Sequence, residues 1–153
     1  MSRIIISDTS CLIALTKIGK LDLLKELFQK VLITTSVSKE FGGTLPGWII
    51  RANAEDLKKQ EELEKRLDQG EASSIALALV LEYSTLIIDE IKGRRIAEAL
   101  QINIIGTVGI ILLANKRGLI SNPLDLILLL VNNGFRLSDK LLKMIIERFG
   151  SSQ

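Results

Sequence analysis

Histidine is absent from the 153 residues, and Cys11 is the one cysteine. Without His there is no imidazole general base, no Ser-His-Asp or Cys-His catalysis, and no His-ligated zinc or iron. A lone thiol excludes an intrachain disulfide and a zinc finger. Aromatic residues make up only 4% of the chain, so base stacking is not an obvious mode of recognition. Neither sign of charge dominates: 20 Lys and Arg against 18 Asp and Glu leave +2. That balance permits a polyanionic partner without demanding one. Long apolar runs are missing too. Spanning a bilayer takes ~18 apolar residues, and the best candidates, 104–114 and 124–131, are interrupted by Gly106, Gly109 and Asp125. The first residues lack the basic and apolar regions of a signal peptide. The expectation is a soluble, cytoplasmic protein with no membrane association.

An apolar fraction of 47% with 25% charged residues describes a well-cored globular chain. Its length suits one domain, taken as 1–150 with a short tail at 151–153. Short apolar runs at Arg3–Ser7, Val31–Thr34, Thr85–Ile88 and Asn103–Ile105 read as buried strands, with a further short strand at Trp48–Arg51. Helical spacing falls between them. Thr9 or Ser10 caps a helix that Gly19 stops, and Leu21–Phe28 carries a second. Thr35 or Ser36 opens one bearing Val37, Glu40 and Phe41. Glu55–Leu67 is polar with one weak apolar face, and Asp68-Gln69-Gly70 breaks it. Glu71–Leu81 is a strong buried helix and Lys92–Leu100 another. Thr107, Asn122-Pro123 and Ser138 begin the last three. Alternating strands and helices imply a three-layer α/β/α sandwich around a central, mostly parallel sheet. Ligands in such sheets bind beyond the carboxyl ends of the strands.

Four carboxylates fall where such a ligand would meet them. Asp8 follows Ile4-Ile5-Ile6-Ser7, and Asp89 follows Leu86-Ile87-Ile88. Glu71 starts an apolar helix, and Glu40 closes Val37-Ser38-Lys39-Glu40. Carboxylates gathered in a dry cleft repel one another unless a cation neutralises them. Oxygen donors alone point to Mg²⁺, Mn²⁺ or Ca²⁺. Each acid also has a purely structural alternative. Asp8 caps a helix, Glu40 lies on a solvated helix end, Glu71 complements a helix dipole, and Asp89-Glu90 makes an ordinary strand-to-helix turn.

The ordered motifs Ile4-Ile5-Ile6-Ser7-Asp8-Thr9-Ser10, Val37-Ser38-Lys39-Glu40, Gly70-Glu71-Ala72 and Leu86-Ile87-Ile88-Asp89-Glu90 resemble those of PIN domains. The later segments Gly93-Arg94, Ile105-Gly106-Thr107-Val108-Gly109 and Lys116-Arg117-Gly118 extend the likeness. It is similar to the prokaryotic VapC-like, DUF3368-type subfamily over Ile4 to about Leu142. The resemblance implies a metal-dependent ribonuclease fold with Asp8, Glu40, Glu71 and Asp89 as the acidic site. Mg²⁺ or Mn²⁺ would be the cofactor and RNA the substrate. It further implies a possible toxin of a type II toxin–antitoxin pair, an antitoxin partner and a homodimer. The third acid is often Asp in the wider family and is Glu71 here. Either Asp89 or Glu90 faces the metal, and Asp89 is favoured because it directly follows the buried strand. Thr9 and Ser10 orient Asp8, hold a metal-bound water or cap the helix. Lys92, Arg94 and Arg95 contact RNA phosphates or form a solvated face. Two other readings stand beside the nuclease. One is a catalytically silent PIN-like module that binds RNA or protein. The other is an aspartyl phosphotransferase with Asp8 as nucleophile, although its usual second Asp is replaced by Ser10.

Overall fold

The computed structural model describes residues 3–150. The expected tail at 151–153 lies outside them. Five strands form one sheet: β1 (Ile4–Ser7), β2 (Val31–Ile33), β3 (Ile49–Arg51), β4 (Ser84–Ile87) and β5 (Asn103–Ile105), in the order β3-β2-β1-β4-β5. Every pairing is parallel, so the sheet is wholly rather than mostly parallel.

Alternation along each strand divides the apolar side chains between two faces. Ile5, Val31, Ile33 and Ile87 pack against α1 (Thr9–Lys17), α2 (Asp22–Phe28) and α7 (Thr107–Lys116). Ile6, Leu86 and Ile88 pack against α5 (Gln69–Val80) and α6 (Ile91–Ala99), with Leu63 of α4 (Lys58–Leu63). Burial on both faces explains why these strands are continuous apolar runs. The third layer is extended by α8 (Pro123–Asn132) and α9 (Asp139–Phe149), whose Ile127, Leu130 and Ile145 close on Ala14 and Ile111. The small helix α3 (Thr35–Phe41) follows β2 directly. Among the described residues no helix is long and apolar enough to cross a membrane.

Several helix starts move by one or two residues from the sequence expectation. Thr34, not Thr35 or Ser36, caps α3 by accepting the Val37 N–H. The long buried helix begins at Gln69, because Asp68 caps it by accepting the Glu71 N–H at 2.8 Å. Gly106, not Thr107, occupies the cap position of α7. The polar segment 55–67 condenses to α4 alone, since only Leu63 and Leu67 along it reach the core.

Candidate metal centre at the switch of the sheet

Strand order reverses between β1 and β4, which is where open α/β sheets leave a crevice. Ser7 pairs with Ile87, so Asp8 and Asp89 leave adjacent strands almost side by side. Backbone bonds hold both exits: the Asp8 N–H donates to Ile87 O at 2.9 Å, and the Ile88 N–H donates to Ile105 O at 2.9 Å. A cavity of about 870 Å³ opens there, lined by Asp8, Glu40, Asp68, Glu71, Asp89 and Glu90 among others.

The acids are held in two different ways. Asp89 is saturated. Thr107 donates its N–H to Oδ1 at 2.8 Å and its hydroxyl to Oδ2 at 2.6 Å, and the Ser10 hydroxyl adds a bond at 2.9 Å. Thr9 donates to Glu40 Oε1 at 2.6 Å. Thr9 and Ser10 therefore orient Glu40 and Asp89, not Asp8 as one reading of the sequence had it. Asp8 is the least supported, with only the Thr9 amide favouring its charged form. It sits at the cap position of α1, yet its side chain makes no capping bond, and its buried Oδ1 has no hydrogen-bond partner. A carboxylate oxygen orphaned in this way is costly. Asp8 thus occupies the cap position expected of it without making the capping bond.

Gly70 shows how closely the acids approach. A Cβ at that position would stand 2.7 Å from Glu40 Oε1, 3.3 Å from Asp8 Oδ1 and 3.5 Å from Asp68 Oδ1. Three carboxylates from three elements thus surround the space that a side chain at 70 would fill. Glu71, one residue on, is buried at 6% exposure. Burial pushes the Asp8 carboxyl from its ordinary 3.8 up to about 7, against the Thr9 amide, with repulsion from Asp68, Glu40 and Asp89 adding to it. Burial likewise raises Glu71 from 4.5 to about 7, followed by repulsion from Asp68, Asp8 and Glu90. Crowding of this kind is common at functional sites. Cys11 takes no part, since burial pushes its thiol up to about 12 and keeps it protonated at neutral pH.

The family profile of DUF3368, described as a PIN domain, matches residues 4–151. The chain belongs to the PIN domain family. Searches of curated proteins and of solved structures give no significant match. The PIN fold is of nuclease type, and this PIN domain brings all four sequence-selected acids to one cavity. Among the described residues they are not closed into a tight metal-binding group. Glu40 and Asp89 are turned to hydroxyls, and the cavity between the acids is open. The donor chemistry nonetheless fits a hard divalent cation: every donor is oxygen, two carboxyls resist ionising unneutralised, and Asp8 Oδ1 is orphaned.

Asp68 joined this set only in three dimensions. The signal was in the sequence, because Asp68-Gln69-Gly70-Glu71 has the spacing of a capping box. Glu90 lines the cavity and is exposed at the cap of α6, making no capping bond. Of the three cations picked from the sequence, Lys92 lines the cavity. Arg94 instead donates to Ile88 O at 2.8 Å, and Arg95 is exposed outside the cavity lining. Lys17, Arg66 and Arg136 line it without having been picked out. Among the described residues the only ion pair within 4.0 Å is Lys59–Glu62, so none of these cations is neutralised by the acids beside them. Ser10 stands where a phosphotransferase of the alternative reading would want its second Asp, and its hydroxyl is already bound to Asp89.

Proposed function

We propose that this PIN domain is a divalent-cation-dependent endoribonuclease. The observation that carries the reading is the unpartnered, buried Asp8 Oδ1 at the switch of the sheet, facing the same space as Glu40 and Asp68. Asp8, Glu40, Glu71 and Asp89 would hold Mg²⁺ or Mn²⁺. The bound cation supplies Lewis acidity toward a phosphodiester and lowers the pKa of water. The protein contributes position and charge. Thr107 and Ser10 hold the Asp89 carboxylate, and Thr9 bonds the exposed Glu40 carboxylate. Lys92 at the rim draws in a phosphate. The expected products carry 5′-phosphate and 3′-hydroxyl ends.

The assay is cleavage of mixed RNA with Mn²⁺, with EDTA, and after Asp8→Asn. Loss of activity in both of the last two supports the reading. Activity that survives both overturns it.

The same proposal extends to biological setting. A toxin of a type II pair needs a protein antitoxin and commonly acts as a homodimer. Leu129, Met144 and Ile146 on α8 and α9 stay 41%, 56% and 45% exposed, which suits such contacts. Growth arrest on expression, relieved by a small co-encoded partner, supports the toxin role. Light scattering that gives a monomer rules out the homodimer.

A further inference from the structure

The cavity does not end at the acids. Ser10, Ile13, Ala14 and Lys17 all line it, and these positions share one face of α1 at i, i+3, i+4 and i+7. Asp8 stands at the start of that helix and Lys17 at its end. At 1.5 Å per residue the helical face from Ser10 to Lys17 is about 10 Å long. That is room for about three stacked nucleotides at ~3.4 Å each. The cavity is therefore a groove that leads from the acidic centre along α1.

The lining carries cations as well as acids. Phe135 and Arg136, which follow α8, line the same cavity as Lys17. Phe135 is the only aromatic residue among the described lining residues. Its backbone is fixed. Gly134 takes φ +96, the Gly134 N–H donates to Val131 O at 3.1 Å, and the Phe135 N–H donates to Leu130 O at 3.0 Å. That paired pattern is a Schellman cap, and Gly is the residue that adopts the left-handed turn at its centre without strain. Phe135 is half-buried, packed against the α7–α8–α9 core while also lining the groove. Lys17 and Arg136 are exposed and unpaired among the described residues. A fixed aromatic and two free cations in one cavity suit a nucleic acid strand: a base for the ring and phosphates for the cations.

We infer that this groove is the track of the RNA strand, with Phe135 as the platform for one unpaired base and Lys17 and Arg136 as phosphate contacts. The inference rests on the ribonuclease reading and supplies what that reading lacks, a means of selecting where to cut. The acidic centre repels a polyanion, so a strand that reaches it needs these cations in the same cavity.

The test uses the full chain carrying Asp8→Asn, without added divalent ions, and a short labelled single-stranded oligoribonucleotide. Fluorescence anisotropy reads binding apart from cleavage. Lys17→Ala and Arg136→Ala in this background are each expected to weaken binding several-fold and to flatten the slope of log affinity against log salt by about 0.7. Phe135→Leu keeps apolar bulk in the core, so its melting temperature reports whether folding survives. A series of oligonucleotides with one abasic nucleotide moved along the strand locates the platform. The parent loses roughly tenfold at one position, and Phe135→Leu is insensitive at that position. Equal binding by parent and the Lys17 and Arg136 variants, or an abasic profile that Phe135→Leu leaves unchanged, overturns the track. Either result leaves the ribonuclease reading intact if native protein cleaves RNA in an Asp8-dependent way. Cleavage indifferent to Asp8 defeats that reading instead.

Discussion

Thr107 grips Asp89 with two bonds, N–H to Oδ1 at 2.8 Å and hydroxyl to Oδ2 at 2.6 Å, while Asp8 on the neighbouring strand has an oxygen that nothing satisfies. The two carboxylates leave β4 and β1 almost side by side. One is a fixed wall and the other an unmet demand. A cation placed between them would answer that demand.

Asp8→Asn tests the cost of this arrangement. Above neutral pH the variant removes a buried charge that the cation-free protein cannot neutralise. Its melting temperature, read by calorimetry with EDTA present, should rise by roughly 2–4 °C, equivalent to ~1 kcal/mol for a domain of this size. RNA cleavage should fall by at least ~100-fold, as when a principal electrostatic element of a site is lost. A variant that is both active and less stable would speak against a functional Asp8.

The pH dependence has a definite sign. Asp8 and Glu71 titrate near 7 when folded and near 3.8 and 4.5 otherwise. Between about pH 4 and pH 7 the folded chain holds more protons than the unfolded one, so folding stability falls as pH rises through that window. The penalty is absent below the unfolded values and complete above the folded ones. Urea melts of the cation-free protein across this range should show the decline. Millimolar Mg²⁺ should flatten it, because the cation favours the folded carboxylates.

Asp68 separates capping from charge. Asp68→Asn retains a good cap for α5 but removes one of the charges that crowd Asp8 and Glu71. Stability should stay within about 0.5 kcal/mol, while Mn²⁺ affinity drops several-fold. Asp68→Ala should lose a further ~1 kcal/mol through the cap. Equal metal affinity in both variants and the parent would confine Asp68 to a capping role.

Gly70→Ala sets helix propensity against space. Alanine favours a helix interior by ~1 kcal/mol over glycine, and part of that remains at Gly70 in the first turn of α5. Its methyl would stand 2.7 Å from the exposed Glu40 carboxylate, which can swing aside, and 3.3 Å from Asp8 Oδ1. Thermal stability should hold or rise, while cation affinity and cleavage both fall. A variant with unimpaired metal binding would show that the ion lies away from Gly70.

The parallel sheet and the placement of Asp8 and Asp89 were legible in the sequence. Strands buried on both faces leave unbroken apolar runs, and an acid directly after such a run stands at the strand's carboxyl end. Helix starts were less sharp because Thr34, Thr35 and Ser36 offer adjacent hydroxyls, and only the fold chooses Thr34. The polar stretch around α4 looked longer than it is, since charge pattern alone does not show where burial ends. Lys17 and Arg136 do not stand out in the sequence for a different reason. They lie far apart in sequence, and it is the packing of α8 against α1 that brings them to the same groove. Arg94 is the converse, a cation in a suggestive position whose guanidinium is spent on the Ile88 carbonyl.

Calorimetric titration of Mn²⁺ into the cation-free protein near pH 7 tests the central claim most directly. Asp8 and Glu71 are about half protonated there. Binding should release protons, so the observed enthalpy should change with the ionisation enthalpy of the buffer, and Asp8→Asn should abolish or severely weaken the event. No binding at millimolar Mn²⁺, or binding that Asp8→Asn leaves unaltered, would contradict the account.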